Sequence, residues 1–158
     1  MSFTIEIRGK FPDPKKLNDM LSKQIRQAVK QEVHNIAQEF HDDLVGKIER
    51  QEFHHIPLKP GYREAKIKAG LDPRILIATG DYISGIQVED TLRGTAVGLS
   101  NTAMHNSGLT FSRIGKVHEY GVNHIPARPH WRPTVEIFRR RRYEFERRIK
   151  KLIKSLMP

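Results

Sequence analysis

The sequence predicts an α+β fold: a small, mainly antiparallel sheet packed against a long N-terminal amphipathic helix, with a basic helix near the C-terminal end. Three observations predict it. Apolar residues recur every three or four positions between Pro14 and Glu49, which is the period of one helix face. Two short strand-like segments face each other across Arg93–Gly94, the arrangement of a hairpin. The charge is uneven: residues 128–158 hold 11 Lys and Arg against 3 acids, a net of +8 out of the chain's +10.

Length and composition bound the class. With 158 residues, 37% hydrophobic and 29% charged, the chain suits one domain, or a domain with an arm. We read 1–158 as a single domain, with the Pro-rich segment and basic helix of 127–158 as the arm. The absence of cysteine removes disulfides, thiolate zinc sites, iron–sulfur clusters and cysteine nucleophiles. No apolar run approaches the roughly 20 residues of a membrane span. The opening "MSFTIEIRGK" lacks the basic-then-apolar form of a signal peptide. The expectation is a soluble protein made and kept in a cytoplasm, with a preference for acidic partners.

Each element has its own justification. Phe3, Ile5 and Ile7 alternate with Thr4, Glu6 and Arg8, a half-buried strand. Asp13 then serves as N-cap and Pro14 as first helical residue. The helix from Pro14 to Glu49 carries Leu17, Leu21, Ile25, Val29, Val33, Ile36, Phe40, Leu44 and Ile48. It would span about 50 Å, so one end is expected to project or to pack on a neighbouring subunit. Its step is nearer four than 3.5, which disfavours a coiled coil. Pro57, Pro60 and Gly61 mark a loop, "REAKIKAG" two helical turns ending at Gly70, and Asp72–Pro73 another helix-start signal. A short helix over Thr79–Ser84 leads to a strand near Ile86–Asp90, the Arg93–Gly94 turn and the return strand "TAVGLS". "NTAMHNSGLTFS" reads as loop, and "RIGKVHEYG" as one or two helical turns closed by Gly121. "HIPARPHWRP" is stiff and extended. After Pro133 one amphipathic helix runs on, apolar at Val135, Phe138, Phe145, Ile149, Leu152, Ile153 and Leu156, and basic elsewhere.

The chemistry-bearing constellations are thin. Eight histidines read as a His-rich surface in ordinary roles, because none falls in a His-Glu-x-x-His pairing and His34 and His41 stand two helical turns apart. Asp42 and Asp43 point about 100° apart on a helix and do not converge. His118 beside Glu119 is the one pair a metal-dependent nuclease could use. No P-loop and no Gly-x-Ser-x-Gly elbow occurs. No metal, cofactor or catalytic residue is expected. The basic candidates are Arg139, Arg140, Arg141, Arg142, Arg147, Arg148, Lys150, Lys151 and Lys154. They would meet DNA phosphate with strong salt dependence, dock on an acidic protein, or form a solvated face. Few aromatics lie among them for stacking on single strands, and no sequence-reading motif appears.

"ILIATGDYISGI", "KVHEYG" and "IPARPHWRP" follow one another between a long helix and a C-terminal helix. This order resembles the virion-morphogenesis and tail-completion proteins of tailed phages, also called head–tail joining or neck proteins. The resemblance covers nearly the whole chain, with "IEIRGK", the 14–49 helix and "PLKPGYREAKIKAG" in matching places. Gly85 between Ser84 and Ile86, His130–Trp131 after Pro129, and the four-Arg run depart from the usual pattern. The resemblance implies a structural virion protein without catalysis. It would form a homo-oligomeric ring, six-fold or twelve-fold, between the portal-connector side and the tail. A tail terminator capping the tail tube is the alternative within that class, and a non-specific DNA-binding protein using the basic helix the alternative outside it. Packaged DNA would pass through the ring, and no membrane is involved. Location in the virion neck or tail follows, after assembly in the host cytoplasm. Thr79, Gly80, His118, Glu119, Gly121, Arg128, Pro129 and Trp131 are then structural or interface residues. Physically, Thr79–Gly80 would let a helix approach the sheet closely. Glu119 would cap a helix or pair with Arg128 or Arg132, and Gly121 would take a left-handed turn.

Overall fold

The computed structural model describes residues 2–4, 23–92 and 94–157. It shows an α+β fold, with helices α1 (Lys23–Glu49), α2 (Pro60–Lys68), α3 (Asp81–Ser84), α4 (Phe111–Tyr120), α5 (Trp131–Arg140) and α6 (Arg142–Leu156). Strands β1 (Ser2–Thr4), β2 (Ile86–Thr91) and β3 (Gly94–Leu99) form an antiparallel sheet in the order β1-β3-β2. Among the described residues no helix is long and apolar enough to cross a membrane.

Helix α1 is the spine. Ile36, Ala37, Phe40, Leu44 and Ile48 are all buried, the stripe that a 3.6-residue period places on one side. The hairpin packs on one flank and α5–α6 on another. The expected start at Pro14, and Ile5 and Ile7 of the expected first strand, lie outside the described residues. Val29 and Val33 still pack on the core, so the described part of α1 does not project.

The hairpin matches the expectation, with Ile86 opposite Leu99 and Thr91 opposite Gly94. Along β3, Thr95, Val97 and Leu99 are buried and their neighbours only partly so, the alternation of a one-sided strand. Helix α4 reaches β3 at Gly115. A Cβ there would stand 2.4 Å from Leu99 Cδ1, so any larger residue would have to displace the Leu99 side chain. The close approach expected at Thr79–Gly80 is therefore found elsewhere. Gly80 has open space around it and is instead the left-handed residue (φ 89°) that starts α3.

Two expectations about the C-terminal part are corrected. The helix begins at Trp131, not after Pro133, which sits in the first turn where its missing N–H costs nothing. It is also two helices, broken at Arg141 (φ −81°, ψ 2°). The break brings Phe138 and Phe145 into stacked contact at 5.6 Å. Residues 127–158, expected as an arm, supply Trp131, Phe138, Phe145 and Ile149 to the same buried cluster as α1 and the hairpin. Trp131 is wholly buried and lies 6.2 Å from the Phe40 ring, with Phe138 5.1 Å from it in edge-on contact.

Candidate functional site

The three motifs that stand far apart in sequence meet at one place. Helix α4 ends at Tyr120, and Gly121 (φ 72°) turns the chain back so tightly that a Cβ there would lie 2.7 Å from the Ala127 nitrogen. Glycine alone adopts that backbone without strain. The returning strand is tied down by the Arg128 N–H, which donates to the His118 carbonyl at 2.6 Å. His130 and Trp131 thereby arrive beside Glu119.

Glu119 is fully buried, and its carboxylate faces the start of α5. Oε2 accepts the N–H groups of His130 (2.9 Å) and Trp131 (3.0 Å), and Oε1 accepts the N–H and Nε–H of Arg132 (both 3.0 Å). A helix N-terminus has orphan donors and a positive dipole end. Here the capping anion comes from another helix rather than from the chain just before. Burial alone would raise the Glu119 carboxyl. The N–H groups of His130, Arg132 and Trp131 outweigh it and hold the group below the ordinary value. Of the two pairings expected for Glu119, the structure shows the one with Arg132. Arg132 also lies over the Tyr120 ring at 5.0 Å.

His130 is buried as well, which corrects the picture of a His-rich surface. Its Nδ1 lies 2.7 Å from the Arg128 carbonyl and its Nε2 2.6 Å from the Tyr82 hydroxyl. Since a carbonyl only accepts, Nδ1 carries the proton, and neutral Nε2 accepts from Tyr82. Trp131 Nε1–H donates to the same hydroxyl oxygen at 3.3 Å. The bonds run in one direction, from Trp131 to Tyr82 to His130 to the Arg128 carbonyl. Burial pushes the His130 imidazole down to about 4 and the Tyr82 phenol upward. Thr134 Oγ donates to the His130 carbonyl at 2.8 Å. His55 Nε2 lies 3.0 Å from the Pro129 carbonyl, joining the 50–58 loop to the same segment.

His118 and Glu119 do not converge. Glu119 faces α5, whereas His118 faces a cavity of about 300 Å³ that Thr79, Gly80, Tyr82 and Arg128 also line. The His118 ring stands edge-on to Tyr82 at 5.5 Å, and burial, with the charge of Arg128, lowers it to about 4. No group of three or more His, Asp or Glu among the described residues is arranged to hold a metal ion.

Sequence reasoning missed Tyr82, Lys66 and Thr134. Lys66 is buried, and its Nζ donates to the carbonyls of Arg74 (2.7 Å) and Ile77 (2.5 Å), strapping that turn to α2. Nothing local marks these residues, because their partners lie on other elements. The one usable signal was a histidine held between Pro129 and Trp131, a polar ring in apolar company.

The basic surface expected at residues 139–151 is divided. Arg141 bonds Glu144 (2.8 Å) and Glu39 (3.3 Å), and Arg148 bonds Glu39 (2.5 Å) and Glu32 (2.7 Å). These two clamp the α5–α6 junction and α6 to α1. They also lie over the Phe145 ring, at 4.8 and 5.8 Å. Arg139 and Arg140 reach Glu136, and Arg142 reaches Glu146. Arg147, Lys150, Lys151 and Lys154 are exposed, and no ion pair holds them among the described residues. Their i, i+3, i+4, i+7 spacing places them on one stripe of α6. The chain matches no family model, and no curated protein or solved structure matches it either.

Proposed function

We propose that the chain is a structural virion protein of a tailed bacteriophage, a neck or tail-completion subunit. It assembles into a homo-oligomeric ring at the head–tail junction, between portal-connector and tail proteins. The resemblance of its ordered motifs to that family supports the reading. The observation that carries it is the use of Glu119. In a hydrolase the carboxylate next to His118 would face substrate, but here both its oxygens are taken by the start of α5. The motif residues therefore hold a scaffold together, as a ring subunit requires.

Closed rings arise from heterologous contacts whose rotation closes, so assembly is the property to measure. Sedimentation of the chain alone, and then with portal and tail-tube proteins, is expected to give a six-fold or twelve-fold species in at least one mixture. A monomer in every mixture would overturn the proposal.

One observation favours non-specific DNA contact as a second reading. Arg147, Lys150, Lys151 and Lys154 form a cationic stripe, with Tyr143 exposed at 81% on the same side. Retention on DNA that falls steeply with salt, and is lost on replacing these four with Ala but kept on replacing Arg139 and Arg140, would support it. Equal retention in both variants would remove it.

A further inference from the structure

Among the described residues, two buried side-chain polar atoms lack a hydrogen-bond partner: Nδ1 of His118 and Nε of Arg128. Both residues line the cavity of about 300 Å³ between α2, the 74–80 turn and α4. Arg128 is only 9% exposed. Its guanidinium stays charged throughout the pH range in which a protein folds. Arg74, Arg132, Arg141 and Arg148 are each paired with a carboxylate, but no carboxylate, carbonyl or hydroxyl among the described residues bonds the Arg128 guanidinium. The nearby Lys66 ammonium adds a second positive charge to the wall, and no acidic residue lines it. A buried charge without a counter-charge is strongly unfavourable. The cavity therefore offers an anion a favourable place beside Arg128.

The rest of the wall says which anion. Leu76, Ile77, Ile114 and Val117 make most of it apolar, which suits a carboxylate on an aliphatic stem better than a hydrated phosphate. At the mouth, Tyr62, Leu109 and Ile125 are exposed at 60%, 45% and 37%. These three exposed apolar side chains suit the residues on either side of an acidic one in a chain. We propose that the cavity receives an Asp or Glu side chain, flanked by apolar residues, from a partner polypeptide segment, and that the carboxylate pairs with Arg128. His118 Nδ1 faces the same space as a second hydrogen-bonding atom. The proposal does not depend on the ring reading, since any partner with that chemistry satisfies it.

The chain holds one tryptophan, and its indole N–H bonds the Tyr82 hydroxyl, whose residue lines the cavity. Trp131 emission therefore reports occupancy. The probe is the blocked peptide acetyl-Ser-Leu-Glu-Leu-Ser-amide, with its Gln twin and 4-phenylbutyrate as comparisons. Saturable binding of the Glu peptide is expected, with the Gln twin about 10-fold weaker or more, as loss of a charge-assisted bond requires. Arg128→Met is expected to melt no lower than the parent and to bind the Glu and Gln peptides alike. Tyr62→Ser, an exposed change that leaves the fold intact, is expected to weaken the Glu peptide several-fold. Equal binding of the two peptides by the parent protein, or no binding at all, would overturn the proposal. So would 4-phenylbutyrate binding as tightly as the peptide, which would make a free acid the occupant. A large loss of stability in Arg128→Met would also overturn it, by showing that the guanidinium is satisfied within the chain.

Discussion

Glu119 joins two helices through four hydrogen bonds to one carboxylate, and bonds of this charged kind contribute more than neutral ones. Removing the group strands the N–H donors of His130 and Trp131 at a buried helix start, whereas the half-exposed Arg132 guanidinium turns to water. Glu119→Ala is therefore expected to cost about 3–5 kcal/mol, the range for breaking a buried pair from one side. Glu119→Gln keeps the shape and one acceptor but turns an amide N–H toward the N–H groups of α5, so about 2 kcal/mol is expected. Urea unfolding with both variants measures this. If Glu119→Gln costs nothing while Glu119→Ala does, the charge is irrelevant and only packing matters. Tyr82 is a milder case. Tyr82→Phe orphans the buried His130 Nε2 and removes one hydrogen bond of the Trp131 indole, and is expected to cost about 1–3 kcal/mol.

At the scale of elements, the α1–α6 contact combines apolar packing with the Arg141 and Arg148 clamp. The Glu32, Glu39 and Glu144 carboxylates raise both guanidinium groups above their ordinary values, but all these side chains are partly exposed, so solvent screens most of that gain. Arg148→Ala is expected to cost about 1 kcal/mol, part of it from the lost contact with Phe145. The loss should shrink when the melt is repeated in 1 M NaCl, whereas Arg139→Ala should change little at either salt. The same helices show what sequence can and cannot say. The stripe of α1 was legible because Ile36, Phe40, Leu44 and Ile48 repeat at the helical period on one face. The hairpin was legible from its turn and its two short strands. The break at Arg141 was not, since four arginines in a row contain no helix breaker and the interruption depends on partners in α1. The start of α5 was read late for a related reason: its cap is Glu119, which no local pattern can announce. In the candidate site the Glu119–Arg132 pairing was within reach of sequence. The convergence of Lys66, Tyr82 and His130 was not, because it exists only once α2, α3 and the Pro-rich segment are folded together.

Across the whole molecule, the buried histidines and the paired carboxylates make stability fall in the same direction, at acid. His118 and His130 are both held down to about 4, chiefly by burial, and burial lowers His55 as well. In the unfolded chain these rings titrate near 6.5. Between those values the unfolded state binds protons that the folded state refuses, so stability declines as pH drops through that window. The contribution is full above about pH 6.5 and gone below about 4. The carboxylates act lower still. Asp72 and Asp90 are held to about 2 by their bonds to Arg74, and to His34 and Lys30. Their share is present above the usual carboxylate range and lost as pH falls toward 2. The melting temperature is therefore expected to be level from pH 9 to 7, to decline between about 6.5 and 4, and to decline again below that. His118→Phe separates the windows. Its Nδ1 has no partner to lose, whereas His130→Phe would orphan the Tyr82 hydroxyl and the Arg128 carbonyl. In His118→Phe the slope between pH 6.5 and 4 should be clearly reduced, with the stability at pH 4 raised relative to that at pH 7 by an order of 1–3 kcal/mol. An unchanged slope in that variant would show that His118 takes its proton in the folded state as readily as in the unfolded one, and would leave the decline in that window to His130 and His55.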